Sequence, residues 1–208
     1  MISVITAASR DLSHMKKLRY CFKQQVFQDF EHIIIYDGIP SEDIIDFFKE
    51  EAKRYNVRFS HVTKEEGSTL PYNDSGATPR NIGITQAKND LIVFCDDDDI
   101  YTRKYLQVFS ESCPSEGGMI ICRMDNYGHN LPQQPLSSFP IHGDIGTPMV
   151  LFFKKWFDAS SIRWGVEGDH DYQLVKELTD KFKLKVQLMN ELTVKVRGNI
   201  KEFYPEYE

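Results

Sequence analysis

Four consecutive aspartates, Asp96, Asp97, Asp98 and Asp99, follow directly on the apolar run Leu91-Ile92-Val93-Phe94-Cys95. Carboxylates placed so close repel one another. A hard divalent cation relieves that repulsion better than water does. Mg²⁺ and Mn²⁺ prefer oxygen ligands, and Mg²⁺ is typically held by one or two carboxylates together with substrate phosphates. The alternative is a solvated acidic turn that caps the next helix, since Asp is a favoured N-cap. Position weighs between the two. An apolar run of this length bounded by a polar cluster reads as an interior strand of an α/β sheet. Ligands of open α/β sheets bind outside the carboxyl ends of the strands. The aspartates are delivered to that place.

The elements around the tetrad follow from periodicity. Ile2 to Ala8 reads as a first strand, with a loop at Ser9, Arg10 and Asp11. Leu12, Met15, Leu18, Phe22 and Val26 recur at helical spacing and predict an amphipathic helix from Leu12 to Val26. Glu31 to Tyr36 is a second strand, broken by Asp37-Gly38. Ser41 is placed to cap a helix from Glu42 to Tyr55, and Val57 to Val62 is a third strand. This alternation predicts a parallel sheet with right-handed crossovers. Lys64 to Thr78 is a polar loop, and Pro79 opens a helix continued by Arg80 to Lys88. After the aspartates come a helix from about residue 102 to 110 and a strand from Met119 to Arg123. Asn126 to Asp144 reads as a long surface loop or lid, and Thr147 to Phe153 as a strand. A helix from Asp169 to Lys181 and two strands, Leu184 to Leu188 and Leu192 to Val196, complete the pattern. The segment from Gly198 reads as a tail that orders only with ligand.

Composition bounds the class. The 208 residues are 41% hydrophobic and 12% aromatic, which excludes disorder and permits one large domain. The net charge of −6, with no basic run, argues against a nucleic-acid partner. An acidic chain that handles an anionic ligand needs local Lys, Arg or metal to offset its own field. Cys21, Cys95, Cys113 and Cys122 have no C-x-x-C spacing, so the expectation is reduced thiols. The first residues read as a strand and not as a signal peptide. No run reaches the ~20 apolar residues of a membrane span. The expectation is a cytoplasmic protein with no transmembrane anchor. No G-x-G-x-x-G follows the first strand, so the dinucleotide-binding fingerprint is absent.

The stretch from Pro79 to Leu106 resembles the core signature of family 2 glycosyltransferases, which have the GT-A fold. Arg80, Asn81, Gly83, Ile84 and Ala87 match the family's helix, and Asp96, Asp98 and Asp99 match its D-x-D-D strand end. Tyr36-Asp37-Gly38 is similar to the family's D-D-G-S turn, and Gly168-Asp169-His170-Asp171 with Leu174 resembles its E-D element. The resemblance implies one α/β domain of Rossmann-like GT-A type, with a mostly parallel central sheet flanked by helices. That domain spans residues 1–197, as a nucleotide-binding half (1–100) and an acceptor-binding half (101–197), before a tail at 198–208. It also implies an inverting, metal-dependent transfer of sugar from a nucleotide-diphospho-sugar, UDP-linked, to an acceptor hydroxyl. The acceptor is a glycan, a lipid-linked molecule or a protein.

The site residues carry over one by one. Ala7, Ser9, Asp37, Arg80, Asp96 and Asp97 are the expected nucleotide-binding set, with Asp37 on the base, Asp96 on the ribose and Arg80 on the diphosphate. Asp98 is the expected ligand of Mn²⁺ or Mg²⁺, which acts as a Lewis acid on the leaving group. Asp169 is the expected general base, with Asp171 in reserve. Each has a structural alternative: an Asx turn for Asp37, a surface position for Arg80, and a helix cap for Asp169. The chain also departs from the family. The turn is D-G-I-P, Gly168 stands for the E-D glutamate, and Val194 to Asn199 lacks the late metal-binding His, for which His129 or His142 are the substitutes at hand. Two other readings stay open: a degenerate, non-catalytic sugar-nucleotide or cation-binding protein, and a nucleotidyltransferase. The second is disfavoured because Thr6 to Arg10 holds no glycine.

Overall fold

Strand Ile2–Ala8 (β1) sits in the middle of the sheet because its side chains are buried on both faces. The computed structural model describes residues 1–65, 68–113, 118–133, 139–165 and 169–207. From β1 the chain runs through α1 (Leu12–Lys23), β2 (Phe30–Asp37), α2 (Glu42–Ala52), β3 (Val57–Val62), α3 (Ala77–Gln86) and β4 (Leu91–Asp96). It continues through β5 (Ile100–Tyr101), α4 (Tyr105–Glu111), β6 (Gly118–Asn126), β7 (His129–Leu131), β8 (Val150–Phe153), α5 (Lys154–Asp158), α6 (His170–Phe182) and β9 (Lys185–Lys195).

The expected single α/β domain with a mostly parallel sheet is found. Among the described residues the strands join one sheet in the order β3-β2-β1-β4-β8-β6-β9-β5, with β7 on β6. The first four are parallel, as strand–helix alternation requires. β2 and β3 stack on one side of β1, while β4 and the rest lie on the other. The strand order therefore reverses between β1 and β4, the kind of crevice where open α/β sheets bind ligands.

Helix α3 lies unusually close to β1. A Cβ on Gly83 would stand 2.3 Å from Cγ2 of Ile5, so only glycine lets the two backbones approach this far. Beneath the sheet's middle, Arg19 of α1 makes a fully buried polar network. Its Nη1 donates to Nδ1 of His32 at 2.8 Å and its Nε to Glu51 at 3.1 Å. Since arginine only donates, His32 accepts at Nδ1 and gives its Nε2 proton to Thr6 Oγ1, 3.0 Å away. Burial holds the His32 pKa well below its usual range, which keeps the ring in that neutral form.

Several expectations are corrected. The first helix ends at Lys23 and leaves Val26 exposed, because the Gln25 side chain turns inward to Cys21 O and Thr102 O. The second ends at Ala52, and Ser41, at its N-cap position, makes no capping bond. α3 starts before Pro79, at Ala77. The surface loop after Asn126 contains β7, reached through a tight turn at Tyr127 and Gly128, both with positive φ. The two late strands are one, β9, which crosses an irregularity in its pairing with β6. Thr147–Met149 is a 3-10 turn ahead of β8, and residues 134–138 lie outside the described set. The tail packs against the domain: Tyr204 is fully buried, donates to Tyr101 O and meets Tyr20 edge-on. Leu151, Phe152, Trp156 and Phe157 belong to the core.

Alanine is the better helix former, yet Gly83→Ala should destabilise the protein by about 1–3 kcal/mol, the usual cost of overpacking. Urea unfolding measures it. A neutral result would mean that α3 can retreat from β1 without loss.

Candidate active site

β1 and β4 end side by side, with Ala7 paired in register to Asp96. The four aspartates leave β4 at this point, and each is compensated by a different part of the chain. Asp96 pairs with Arg80 Nη2 at 2.6 Å. Asp97 Oδ2 accepts from the backbone N–H groups of Ser9 (2.7 Å) and Arg10 (2.9 Å). Asp98 Oδ2 takes Arg10 Nη2 at 2.8 Å and Arg197 Nε at 2.9 Å. Asp99 Oδ1 accepts from the Arg197 backbone N–H at 3.1 Å. Burial raises the Asp97 pKa, against the pull of its two backbone donors. Burial and the neighbouring Asp96 charge push Asp99 up to about 8.

The loop after β1 needs no glycine because other groups hold it. Asp97 draws in the N–H groups of Ser9 and Arg10, while the Tyr36 hydroxyl donates to their carbonyls. Arg80 is fixed on three sides. Besides Asp96, its Nη1 donates to Ser75 O at 2.6 Å, and its guanidinium lies 4.8 Å from the centre of the Trp164 ring. Gly76, at φ +79°, caps α3; a Cβ there would come within 2.9 Å of both Ala7 Cβ and Arg80 Nη1. Asn81 clamps Trp164 in place by bonding both its backbone N–H and C=O.

The six residues expected to bind nucleotide, Ala7, Ser9, Asp37, Arg80, Asp96 and Asp97, all line one cavity of about 360 Å³. Within it Asp37 accepts from the N–H groups of Tyr72 and Asn73, at 2.7 and 3.0 Å. Each of its oxygens keeps a second lone pair for a ligand. This closes the loop that follows β3 over the strand end, a tie that the Asx-turn alternative does not contain. Arg80 is buried and not a surface residue.

A second cavity, of about 280 Å³, shares Asp96, Asp98 and Arg197 with the first and adds Asp99, Thr147 and Asp171. Asp171 is half-buried and accepts from Thr147 Oγ1 at 2.9 Å. Burial pushes its pKa up to about 6; the Arg80 charge opposes this and the Asp96 charge reinforces it. Asp169 is not among the residues lining this cavity. It caps α6 through Tyr172 N, and its other oxygen accepts from Gly143 N at 2.6 Å. The exposed His142 approaches Asp169, with Nδ1 at 3.7 Å, and neither it nor the exposed His129 lines either cavity. Glu167 and Gly168 lie outside the described residues.

The atoms of Asp98 and its neighbours that could ligate a cation are carboxylate oxygens, the chemistry that Mg²⁺ and Mn²⁺ take. Both guanidinium contacts fall on one oxygen of Asp98, and Asp96 lines the same two cavities. The residues therefore fit a cation completed by a ligand's own oxygens. Among the described residues no preformed group of three or more His, Cys, Asp or Glu side chains could hold one alone. Sequence reasoning missed Arg10, Arg197 and Trp164 as parts of this site. Arg10 and Arg197 stand 88 and 99 positions from Asp98, and no local pattern links them.

The sequence matches the family described as glycosyl transferase family 2 over residues 15–166, and the chain belongs to that family. No curated protein matches it. Among solved structures, TarS of S. aureus superposes with a TM-score of 0.71 at 15% identity, covering 98% of this chain and 38% of TarS. TarS 1-349 in complex with UDP-GlcNAc gives 0.71 at 14% identity, covering 100% and 61%. The mannosyltransferase PcManGT of Pyrobaculum calidifontis, in complex with GDP-Man and Mn²⁺, gives 0.67 at 10% identity, covering 98% and 59%. The chain thus spans less than two thirds of each of these proteins. No helix among the described residues is long and apolar enough to cross a membrane.

The raised Asp99 pKa has a thermodynamic consequence. A carboxyl that holds its proton more tightly when folded confers stability in full below the ordinary value of 3.8, and this is lost as pH rises through about 8. With chelator present, Asp99→Asn should flatten that decline in a series of thermal melts. Parallel curves for the two proteins would show that Asp99 ionises freely in the folded state.

Proposed function

We propose that the protein transfers a sugar from a nucleotide-diphospho-sugar to an acceptor hydroxyl, with inversion at the anomeric carbon. One observation carries this reading in a family 2 chain: Asp171, half-buried and with a raised pKa, shares a cavity with the aspartates at the end of β4. The nucleoside occupies the larger cavity, with Asp37 toward the base and Asp96 toward the ribose. The sugar reaches into the cavity that holds Asp171.

Asp171 is the general base. It takes the proton of the acceptor hydroxyl as that oxygen bonds to the anomeric carbon and the nucleoside diphosphate departs with the electrons of the broken bond. Thr147 orients the carboxylate, and a pKa of about 6 leaves it ionised near neutral pH yet basic enough to help. Asp169 holds the start of α6 and the loop at Gly143, and so positions Asp171. Arg80, fixed by Asp96 and Trp164, presents positive charge to the nucleotide cavity. A divalent cation, Mn²⁺ or Mg²⁺, held by Asp98 beside Asp96, would stabilise the charge of the leaving diphosphate. The support for UDP as the nucleotide is that TarS 1-349 is solved with UDP-GlcNAc; PcManGT, solved with GDP-Man, makes GDP the control.

The two arginines on Asp98 favour a second reading, a non-catalytic binder of sugar nucleotides, because they already neutralise the expected metal ligand. Calorimetric titration of UDP and GDP with and without Mn²⁺ is the first test. Metal-dependent binding of UDP that Asp98→Ala abolishes supports the site; binding of neither nucleotide to folded protein counts against it. Donor turnover then separates the two readings. Asp171→Asn should lower kcat by about 10²- to 10⁴-fold, the usual contribution of a general base, with nucleotide affinity preserved. Wild-type kcat/KM should rise with pH through about 6 and then level. A larger loss in Asp169→Asn than in Asp171→Asn would return the base role to Asp169.

A further inference from the structure

A third, smaller cavity adjoins the two already described, and four basic side chains line it opposite Asp97, Asp98 and Asp99. Of about 210 Å³, it is bordered by Arg10, His14, Lys17 and Arg197, with Asp98 and its neighbours as one wall. Small-molecule sites usually run from roughly 300 to 1,000 Å³, so this one suits a single small group and not a nucleoside. His14 and Lys17 are three residues apart on α1 and so lie on one face of the helix. Arg10 and Arg197 come from the loop after β1 and the segment after β9. Three separate parts of the chain thus bring basic side chains to one hollow in a protein of net charge −6.

The charges in this hollow are unevenly matched. Arg10 and Arg197 share one carboxylate oxygen of Asp98, and His14 leans on Asp11. The oxygen of Asp97 nearest to Arg10 is taken by backbone N–H groups. The half-buried Lys17 makes no hydrogen bond or ion pair with any described residue. An unmatched ammonium beside two guanidiniums that divide one carboxylate is an arrangement that recruits an anion with several acceptor oxygens.

We propose that Arg10, His14, Lys17 and Arg197 form a phosphate-binding subsite next to the nucleotide cavity. Two sources present the same chemistry: a phosphate carried by the acceptor, and the diphosphate of the donor. In naming those sources the inference rests on the sugar-transfer reading; the binding of phosphate itself does not. Lys17 and His14 line this cavity and not the other two, so they test it selectively.

The experiment is calorimetric titration of inorganic phosphate, and separately of UDP, into wild type, Lys17→Glu and His14→Ala, with circular dichroism to confirm folding. Phosphate should bind the wild type, and Lys17→Glu should weaken it about tenfold or more, the effect of losing one charge-assisted contact. If phosphate still binds with UDP saturating and Lys17→Glu leaves UDP affinity unchanged, the group belongs to the acceptor. If UDP displaces phosphate and Lys17→Glu weakens both alike, it belongs to the donor. Equal phosphate affinity in wild type and Lys17→Glu overturns the subsite, as does absence of phosphate binding in protein that binds UDP. Failure of both UDP and GDP to bind, with phosphate binding intact and sensitive to Lys17, would instead remove the sugar-transfer reading and leave the subsite standing.

Discussion

Mutual repulsion among four adjacent carboxylates is the constraint around which this molecule closes. Left at the end of one strand, they would drive that strand end apart. Each is met by a different partner: Arg80 for Asp96, the backbone of Ser9 and Arg10 for Asp97, the side chains of Arg10 and Arg197 for Asp98, and the Arg197 backbone for Asp99. The loop after β1, the start of α3 and the segment after β9 are thereby drawn to one point. An acidic turn that water alone solvated would need none of these ties. The positions of the partners also divide the space around the aspartates into neighbouring hollows, because Arg197 and Asp98 are walls of all three.

The same dependence extends outward from Arg80. Its guanidinium stays in place because Trp164 packs beneath it, and Trp164 stays in place because Asn81 bonds its backbone on both sides. Asn81 and Arg80 are successive residues of α3, which reaches β1 only because Gly83 carries no side chain. A close helix–strand contact, a clamped aromatic and an ion pair are therefore links of one chain of support. The sequence Arg80-Asn81-Ile82-Gly83 contains three of its members within four positions.

How much could be read without coordinates depends on the range over which each signal acts. Apolar runs and helical spacing are local, so β1 to β4 and their helices stand close to where periodicity puts them. The residues at the ends of β1, β2 and β4 were legible for the same reason, since strand ends in such a sheet share one edge. Contacts across long stretches of chain were not. Nothing near Asp98 announces Arg10 or Arg197. The burial of Tyr204 follows from its meeting with Tyr20 and Tyr101, and neither lies near it in sequence. At the start of α6 the ambiguity was of another kind. Asp169 and Asp171 are two residues apart and chemically identical, and their surroundings are told apart only when one is seen capping the helix and the other bonding Thr147.

The tie from Asp98 to Arg197 joins residues 99 positions apart. A ribosome delivers the acidic strand end long before it delivers its last partner. While the chain is being made, β1 to β4 can pair, yet Asp98 has only Arg10, and Asp99 lacks its backbone donor. The charge balance of the site is therefore completed only after β9 has been made. A nascent chain that stops short of β9 holds the cavity at the ends of β1 and β4 with one wall missing and its carboxylates poorly matched. Assembly of the site thus reports that the chain has been made through Arg197.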